Sequence, residues 1–93
     1  MNESIFQKRE VKVLQALFEV EALGFTELRD HTKLSESTLY RSLEGLKRKG
    51  LVRREGGHRG KYKLTRKGLK FIKLYNELSL LHNGYLPPRF GFF

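Results

Sequence analysis

The chain has 93 residues, a formal net charge of +9 and no cysteine. A chain of this length forms one small domain, and the absence of cysteine excludes disulfides, iron–sulfur clusters and cysteine nucleophiles. It has neither the apolar N-terminal stretch of a signal peptide nor an uncharged run close to the roughly 20 residues of a membrane helix, so we expect a cytoplasmic protein with no membrane partner.

The positive charge is concentrated in the middle of the chain. Residues 40–73 contain thirteen Lys or Arg residues against only Glu44 and Glu55. Because cations packed this closely repel one another in a folded domain, a polyanionic partner is the economical explanation. Nucleic acid is the first such partner and an anionic membrane surface the second, while a basic face that is merely solvated is the third possibility.

The first predicted helix runs from about Ile5 to Leu23. Ser4 and Gln7 fit a capping box at its start, and Gly24 supplies the stop. Its apolar residues occupy more than one face of the helix: Phe6, Val11, Val13, Leu14, Leu17, Phe18 and Val20. We therefore expect one side of this helix to face the core and another to face a partner.

A short second helix and a longer third helix follow. Thr26 is the expected N-cap of the second helix, which ends near His31 or Thr32, and Ser35 is the expected N-cap of the third. The third helix covers residues 36–49, with Gly50 in the left-handed position that ends it. Its inward stripe is Leu39, Leu43 and Leu46, and its opposite face is polar: Ser37, Thr38, Tyr40, Arg41, Glu44, Gly45, Lys47 and Arg48.

The Gly-rich and Arg-rich segment RREGGHRGKYKL, residues 53–64, fits several structures when it is taken alone. A disordered RNA-binding tract, a phosphate cradle, a metal loop around His58 and a β-hairpin are all compatible with its composition. Its flanks favour the hairpin, because the pattern from Leu51 to Glu55 and from Lys61 to Thr65 alternates as strands do. Tyr62 and Leu64 are expected on one face of that hairpin.

A long fourth helix is predicted from the N-cap Thr65 to about His82, ended by Asn83 and Gly84. Two of its faces are apolar, one with Leu69, Ile72 and Leu80 and the other with a larger set. We predict that the larger set is a dimer interface: Phe71, Leu74, Tyr75, Leu78 and Leu81. The domain is thus expected to cover residues 1–84. The aromatic tail at 85–93 either packs on a partner subunit or frays.

The order helix, helix, turn, helix, β-hairpin, helix resembles the winged helix-turn-helix domain. SESTLYRSLEGLKRKGLV, residues 35–52, is similar to the recognition helix and first wing strand of PadR, MarR and ArsR transcriptional regulators, and KYKLTRKG, residues 61–68, is similar to their second wing strand and following helix. The likeness is closest to PadR-type proteins. It implies an α+β, mostly α fold with a three-helix bundle, a β-hairpin wing and a long C-terminal helix.

The resemblance also implies a function: a homodimeric, sequence-specific regulator of transcription that binds double-stranded DNA and is associated with the nucleoid. Helix 36–49 would enter the major groove and the wing, 53–64, would contact the backbone or the minor groove. By position, the recognition residues are Ser37, Thr38, Tyr40, Arg41 and Arg48. The wing residues are Arg54, His58, Arg59 and Lys61. The chain leaves no room for a separate ligand-binding region of the kind that PadR- and MarR-type regulators often have, so no small-molecule ligand or cofactor is predicted.

Two other classes of function compete with DNA binding. A winged helix can instead serve as a protein or RNA interaction module within a replication or transcription assembly, but only Tyr40 offers an aromatic anchor on the third helix. An enzyme is not expected, because the sequence has no carboxylate pair, nucleophile with a base, or phosphate loop. No metal site is expected either, since His31, His58 and His82 fall on three different elements.

Overall fold

The computed structural model describes residues 7–57 and 60–82, with only the backbone of His82. Its elements follow the predicted order: α1 (Lys8–Glu19), α2 (Phe25–Thr32), α3 (Glu36–Arg48), β1 (Val52–Glu55), β2 (Lys61–Leu64) and α4 (Arg66–His82). Ser4, Ile5, Phe6, the wing residues His58 and Arg59, and the aromatic tail at 85–93 lie outside the described residues. No helix in the part that is described is long and apolar enough to cross a membrane.

The core is a cluster of mainly aliphatic side chains between α1, α2 and α3, closed by the hairpin and α4. The predicted inward stripe of α3, which is Leu39, Leu43 and Leu46, is fully buried in it. The other members are Val13, Leu14, Ala16, Leu17, Leu23, Leu28, Leu51, Val52, Tyr62 and Ile72. Burying a large aliphatic side chain stabilises a fold by about 1.5 to 3 kcal/mol, so this cluster holds the three helices together.

The end of α1 differs from the prediction. The helix stops at Glu19, four residues before Leu23, because Leu23 is used as a strand residue. Its backbone exchanges two hydrogen bonds with Tyr62 of β2, with N···O distances of 3.2 and 2.7 Å. Leu23 thus forms an isolated antiparallel bridge that extends the two-stranded hairpin and ties it to the helical core.

The N-cap residues of α1 and α2 are also different from those predicted. Gln7 is the N-cap of α1, and its N–H donates to the Glu10 carboxylate at 3.3 Å. Gly24, predicted to end α1, is instead the N-cap of α2, and its N–H donates to Glu27 Oε1 at 2.8 Å. The prediction of Thr26 as this cap was therefore wrong by two residues.

The two ends of α3 agree closely with the prediction. Ser35 is the N-cap, and its side chain accepts a hydrogen bond from the Thr38 N–H at 3.3 Å. At the other end Gly50 adopts a φ of 76°. The Gly50 N–H bonds to Lys47 O and the Leu51 N–H to Leu46 O, both at 3.0 Å, which is a Schellman motif. The helix ends at Arg48 with Lys49 as its C-cap, one residue earlier than predicted.

The hairpin leads directly into α4. β1 pairs with β2 in antiparallel register, with Val52 opposite Leu64 and Arg54 opposite Tyr62. Thr65 is the N-cap of α4 as predicted, since its hydroxyl accepts from the Gly68 N–H at 3.0 Å and donates to Gly50 O at 2.7 Å. The start of α4 is therefore joined to the end of α3 as well as to the wing.

The two apolar faces predicted for α4 have different environments. Ile72 is fully buried, and Phe71 packs half-buried against the core, so part of the predicted dimer interface is used within the domain itself. Leu74 and Leu78 are 55% and 66% exposed. The exposed apolar residues of α4 are Leu69, Leu74, Tyr75, Leu78, Leu80 and Leu81.

Candidate nucleic-acid interface

The outward face of α3 is polar and largely exposed, as the sequence predicted. Ser37, Tyr40, Arg41 and Arg48 are all exposed, and Tyr40 has 58% of its surface accessible. Neither Arg41 nor Arg48 forms an ion pair with any residue that the structure describes. Both guanidinium groups therefore keep their hydrogen-bond donors available for a ligand.

Two residues of this face are already engaged within the domain. Thr38 is half-buried, and its hydroxyl accepts a hydrogen bond from the Ser35 hydroxyl at 2.9 Å. Glu44, which lies between Arg41 and Arg48 along the face, is bound to Lys47 Nζ at 3.4 Å. The start of α3 thus offers mainly the Ser37 hydroxyl, while Glu44 is held beside a cation of its own helix.

Gly45 does not lie on the outward face. It is buried against α1, where a Cβ atom would be 2.5 Å from Glu10 Oε2. The group that approaches this glycine is therefore the carboxylate of Glu10 on α1. Glu10 in turn binds Lys49 Nζ at 2.7 Å, so Lys49 is paired within the domain as well.

Two of the predicted wing cations, Arg54 and Lys61, project from different faces of the hairpin. Arg54 lies over the ring of its strand partner Tyr62, with its guanidinium carbon 5.8 Å from the ring centroid. Lys61 points from the other face, where its ammonium group is 3.9 Å from Glu27 Oε1. Both lysine and glutamate are more than half exposed, so this pair is weak and readily exchanged for another anion.

Further cations adjoin the predicted ones and were not among the predicted site residues. On the wing, Arg53 and Lys63 share the carboxylate of Glu55, at 2.8 and 3.8 Å. On α4, Arg66, Lys70 and Lys73 are exposed, and Lys67 donates to Lys49 O at 3.1 Å, which joins this helix to the end of α3. The charge excess of residues 40–73 was the signal that could have found them.

Other kinds of site have less support. Within residues 7–57 and 60–82 no group of three His, Cys, Asp or Glu side chains could hold a metal ion. Two open grooves of about 490 and 450 Å³ lie along α1, one beside the base of the hairpin and one beside α2. The expectation that no small molecule binds here stays a prediction.

Comparison with known proteins gives independent information. The sequence model of the family described as HVO_A0261 N-terminal domain matches residues 5–80. The chain is similar to the HTH-type transcriptional regulator KdgR of Dickeya chrysanthemi, with 46% identity over 78 residues, which are 83% of this chain and 25% of KdgR. It is also similar to Csa3, a CRISPR locus-related protein of Saccharolobus solfataricus, with 36% identity over 69 residues, 74% of this chain and 29% of Csa3. It spans less than a third of either relative.

A solved structure has the same fold. The MarR family transcriptional regulator SPO1453 from Silicibacter pomeroyi superimposes with a TM-score of 0.73 at 23% identity, over 85% of this chain and 58% of that one. The predicted winged helix-turn-helix architecture is thereby confirmed, while the particular likeness to PadR-type proteins stays a prediction. KdgR and SPO1453 are named as regulators of transcription, in agreement with the expectation that the chain is not an enzyme.

Proposed function

The chain belongs to the HVO_A0261 N-terminal domain family, and on that premise we propose that it is a sequence-specific, double-stranded DNA-binding regulator of transcription that acts as a homodimer. The observation that carries the proposal is the outward face of α3. This face is held by a capped helix, is exposed, and bears Arg41 and Arg48 without a carboxylate partner among the described residues. Binding to chromosomal DNA would place the protein with the nucleoid.

Within the major groove, some residues of α3 read bases and others bind the DNA backbone and position the helix. Arg41, near the middle of the face, has the planar fork that binds guanine O6 and N7 together, and Tyr40 beside it contacts a neighbouring base or sugar. The Ser37 hydroxyl and the N–H groups of Glu36 and Ser37 bind a phosphate at the positive end of the helix, where the Thr38 N–H is already bound to Ser35. Arg48, in the last turn, binds the backbone as the helix leaves the groove.

The wing supplies affinity that does not depend on sequence. Lys61 exchanges its exposed contact with Glu27 for a phosphate, and Arg54 is presented by its stack on Tyr62. His58 and Arg59, which belong to the tip of the hairpin in the sequence, complete the wing contacts in this proposal. Cations on a backbone raise the affinity for all duplexes about equally.

The dimer is built on α4. Leu74, Leu78 and Leu81 lie on the side of the helix that faces away from the buried Ile72. Together with the edges of Phe71 and Tyr75 they form an apolar surface that a second copy of the chain covers. The two recognition helices then reach half-sites about one helical turn apart, which predicts a palindromic site.

Selection of bound duplexes from a random DNA pool tests this function directly. We expect a palindromic motif with G·C pairs in each half-site, and an affinity whose logarithm falls with the logarithm of salt concentration at a slope near −5 or steeper. A pool that yields no motif, together with a flat salt response, would contradict DNA binding. The protein-interaction function would then be favoured, with the exposed ring of Tyr40 as its anchor.

A further inference from the structure

A buried carboxylate connects α1 to the recognition helix. The side chain of Glu10 is only 7% exposed, although it carries a charge. Its Oε1 atom accepts hydrogen bonds from Lys49 Nζ at 2.7 Å and from the Gln7 N–H at 3.3 Å. Since a charge is buried only where partners compensate for lost water, these contacts are the condition for Glu10 to lie here.

The recognition helix is shaped to admit this carboxylate. Glu10 Oε2 lies where it would be 2.5 Å from a Cβ atom at position 45, so any residue other than glycine there would displace the carboxylate. Glycine is unfavourable inside a helix, and Gly45 is in the interior of α3. A residue that is unfavourable in a helix thus occupies the position where the carboxylate of Glu10 approaches the backbone of α3.

The apolar contacts of α3 restrain its rotation less sharply than a directed contact does. Leu39, Leu43 and Leu46 form one buried stripe, and hydrophobic contact is not directional, so a small rotation of the helix about its own axis costs it little. An ion pair with short, directed hydrogen bonds on the flank of the helix resists that rotation. Glu10 supplies this contact, between Gly45 and the C-cap Lys49.

We infer that Glu10 is a positioning residue, which sets the rotation of α3 and so the direction in which Arg41 and Arg48 project; the inference rests on the DNA-binding function proposed above. Arg41 lies one turn before Gly45 and Arg48 three residues after it. A guanidinium group lies roughly 10 Å from the helix axis, so a rotation of about 10° would displace it by nearly 2 Å. A binding group must be held within ~0.5 Å of its productive position.

Because of its contact with Glu10, Lys49 is expected to act differently from its basic neighbour Arg48. Lys49 is neutralised by Glu10, whereas Arg48 has no carboxylate partner among the described residues. Lys49→Gln should therefore lower the preference for the selected site with little change in the salt dependence of binding. Arg48→Gln should instead reduce the slope by about 1 and leave the preference nearly unchanged.

The test compares the affinity for the selected duplex with that for a scrambled duplex of equal length and composition. In Glu10→Gln we expect the ratio of the two affinities to fall about tenfold, as for one misaligned bidentate base contact. Glu19→Gln, which removes the same charge from an exposed position of α1, should leave the ratio unchanged. Ile72→Val, which removes one buried methyl group on α4, should lower the melting temperature without changing the ratio.

A double-mutant cycle shows whether the two residues act as one unit. Gly45→Ala displaces the carboxylate, so it should lower the ratio about as much as Glu10→Gln, and the double variant should lower it no further. If the wild-type protein prefers its selected duplex and Glu10→Gln keeps that preference in full, the positioning inference is wrong while the proposed function stands. If the wild-type protein shows no preference, both are wrong.

Discussion

Arg41 is the residue on which sequence preference is expected to depend most. Its guanidinium group is exposed on the outward face of α3 and unpaired within the described residues. Replacement by alanine should reduce discrimination between the selected and a random duplex by about 1 to 3 kcal/mol, the contribution of one bidentate contact with guanine. Titrations of both duplexes measure it.

Lys12→Ala is the matched control for Arg41→Ala, because it also removes one exposed cation but from α1. Lys12→Ala should lower the affinity for the selected duplex and for the random duplex slightly and by the same factor. If the ratio of the affinities for the selected and the random duplex were the same in Arg41→Ala and Lys12→Ala, Arg41 would contribute charge and would not read bases.

Gly68 is a residue whose importance is structural. A Cβ atom at this position would collide with the backbone carbonyl of Leu51, which cannot move aside as a side chain can. Gly68→Ala should therefore lower the free energy of unfolding by roughly 2 to 3 kcal/mol, the upper part of the range for overpacking. Denaturant unfolding followed by circular dichroism gives this value.

Gly50→Ala provides the comparison for Gly68→Ala. Gly50 has a φ of 76° but open space around it, so alanine there meets only the strain of the left-handed conformation, about 1 kcal/mol. A Gly68→Ala variant as stable as Gly50→Ala would mean that α4 can shift away from the end of α3 at little cost.

At the scale of the element, α3 is specified by its own ends. Ser35 satisfies the Thr38 N–H, and the turn at Gly50 satisfies two carbonyl groups of the last turn. The length of the helix is thus fixed by its own residues. Its outward residues are presented in a constant register, which is what a reading element requires.

Removal of the N-cap tests this local control. Ser35→Ala should lower the free energy of unfolding by about 1 kcal/mol, because the Thr38 N–H loses its acceptor. Ser37→Ala, two residues away on the exposed face, should change stability by only a few tenths of a kcal/mol. Similar losses in the two variants, measured by urea unfolding, would contradict the capping role of Ser35.

At the scale of the whole molecule, the leucine face of α4 is an apolar surface that the described residues leave exposed. A single domain of this size gains by covering such a surface, and a second copy does so symmetrically. Leu78, 66% exposed, lies well within the proposed interface, whereas Leu80 is on another side of the helix. The assembly state and the DNA affinity are therefore expected to change together.

Leu78→Glu tests the proposed dimer, because it places a charge in the proposed dimer interface. The molecular mass from light scattering should fall from that of a dimer to that of a monomer, and the affinity for the palindromic duplex should fall with it. Leu80→Glu should leave both unchanged. A wild-type protein that is monomeric at micromolar concentration, free and on DNA, would contradict the proposed homodimer.

Some features of the fold could be predicted from the sequence because their causes are local. The ends of α3 depend on Ser35 and Gly50, which act on residues three or four positions away, and the hairpin depends on alternation beside glycines. The order of the elements and the charge of residues 40–73 follow from the same local reading, and the winged-helix resemblance depends on them. Whether the predicted DNA-reading residues act as proposed stays a prediction.

Other features were decided only by contacts between distant parts of the chain. Leu23 reads as helical in its own neighbourhood, and it becomes a strand residue because the backbone of Tyr62 offers it two hydrogen bonds. Gly45 reads as exposed on a helical wheel, and it is buried because Glu10 of α1 occupies that flank. A partner that lies far away in sequence leaves no periodic signal at either residue, so only the tertiary structure could reveal these two contacts.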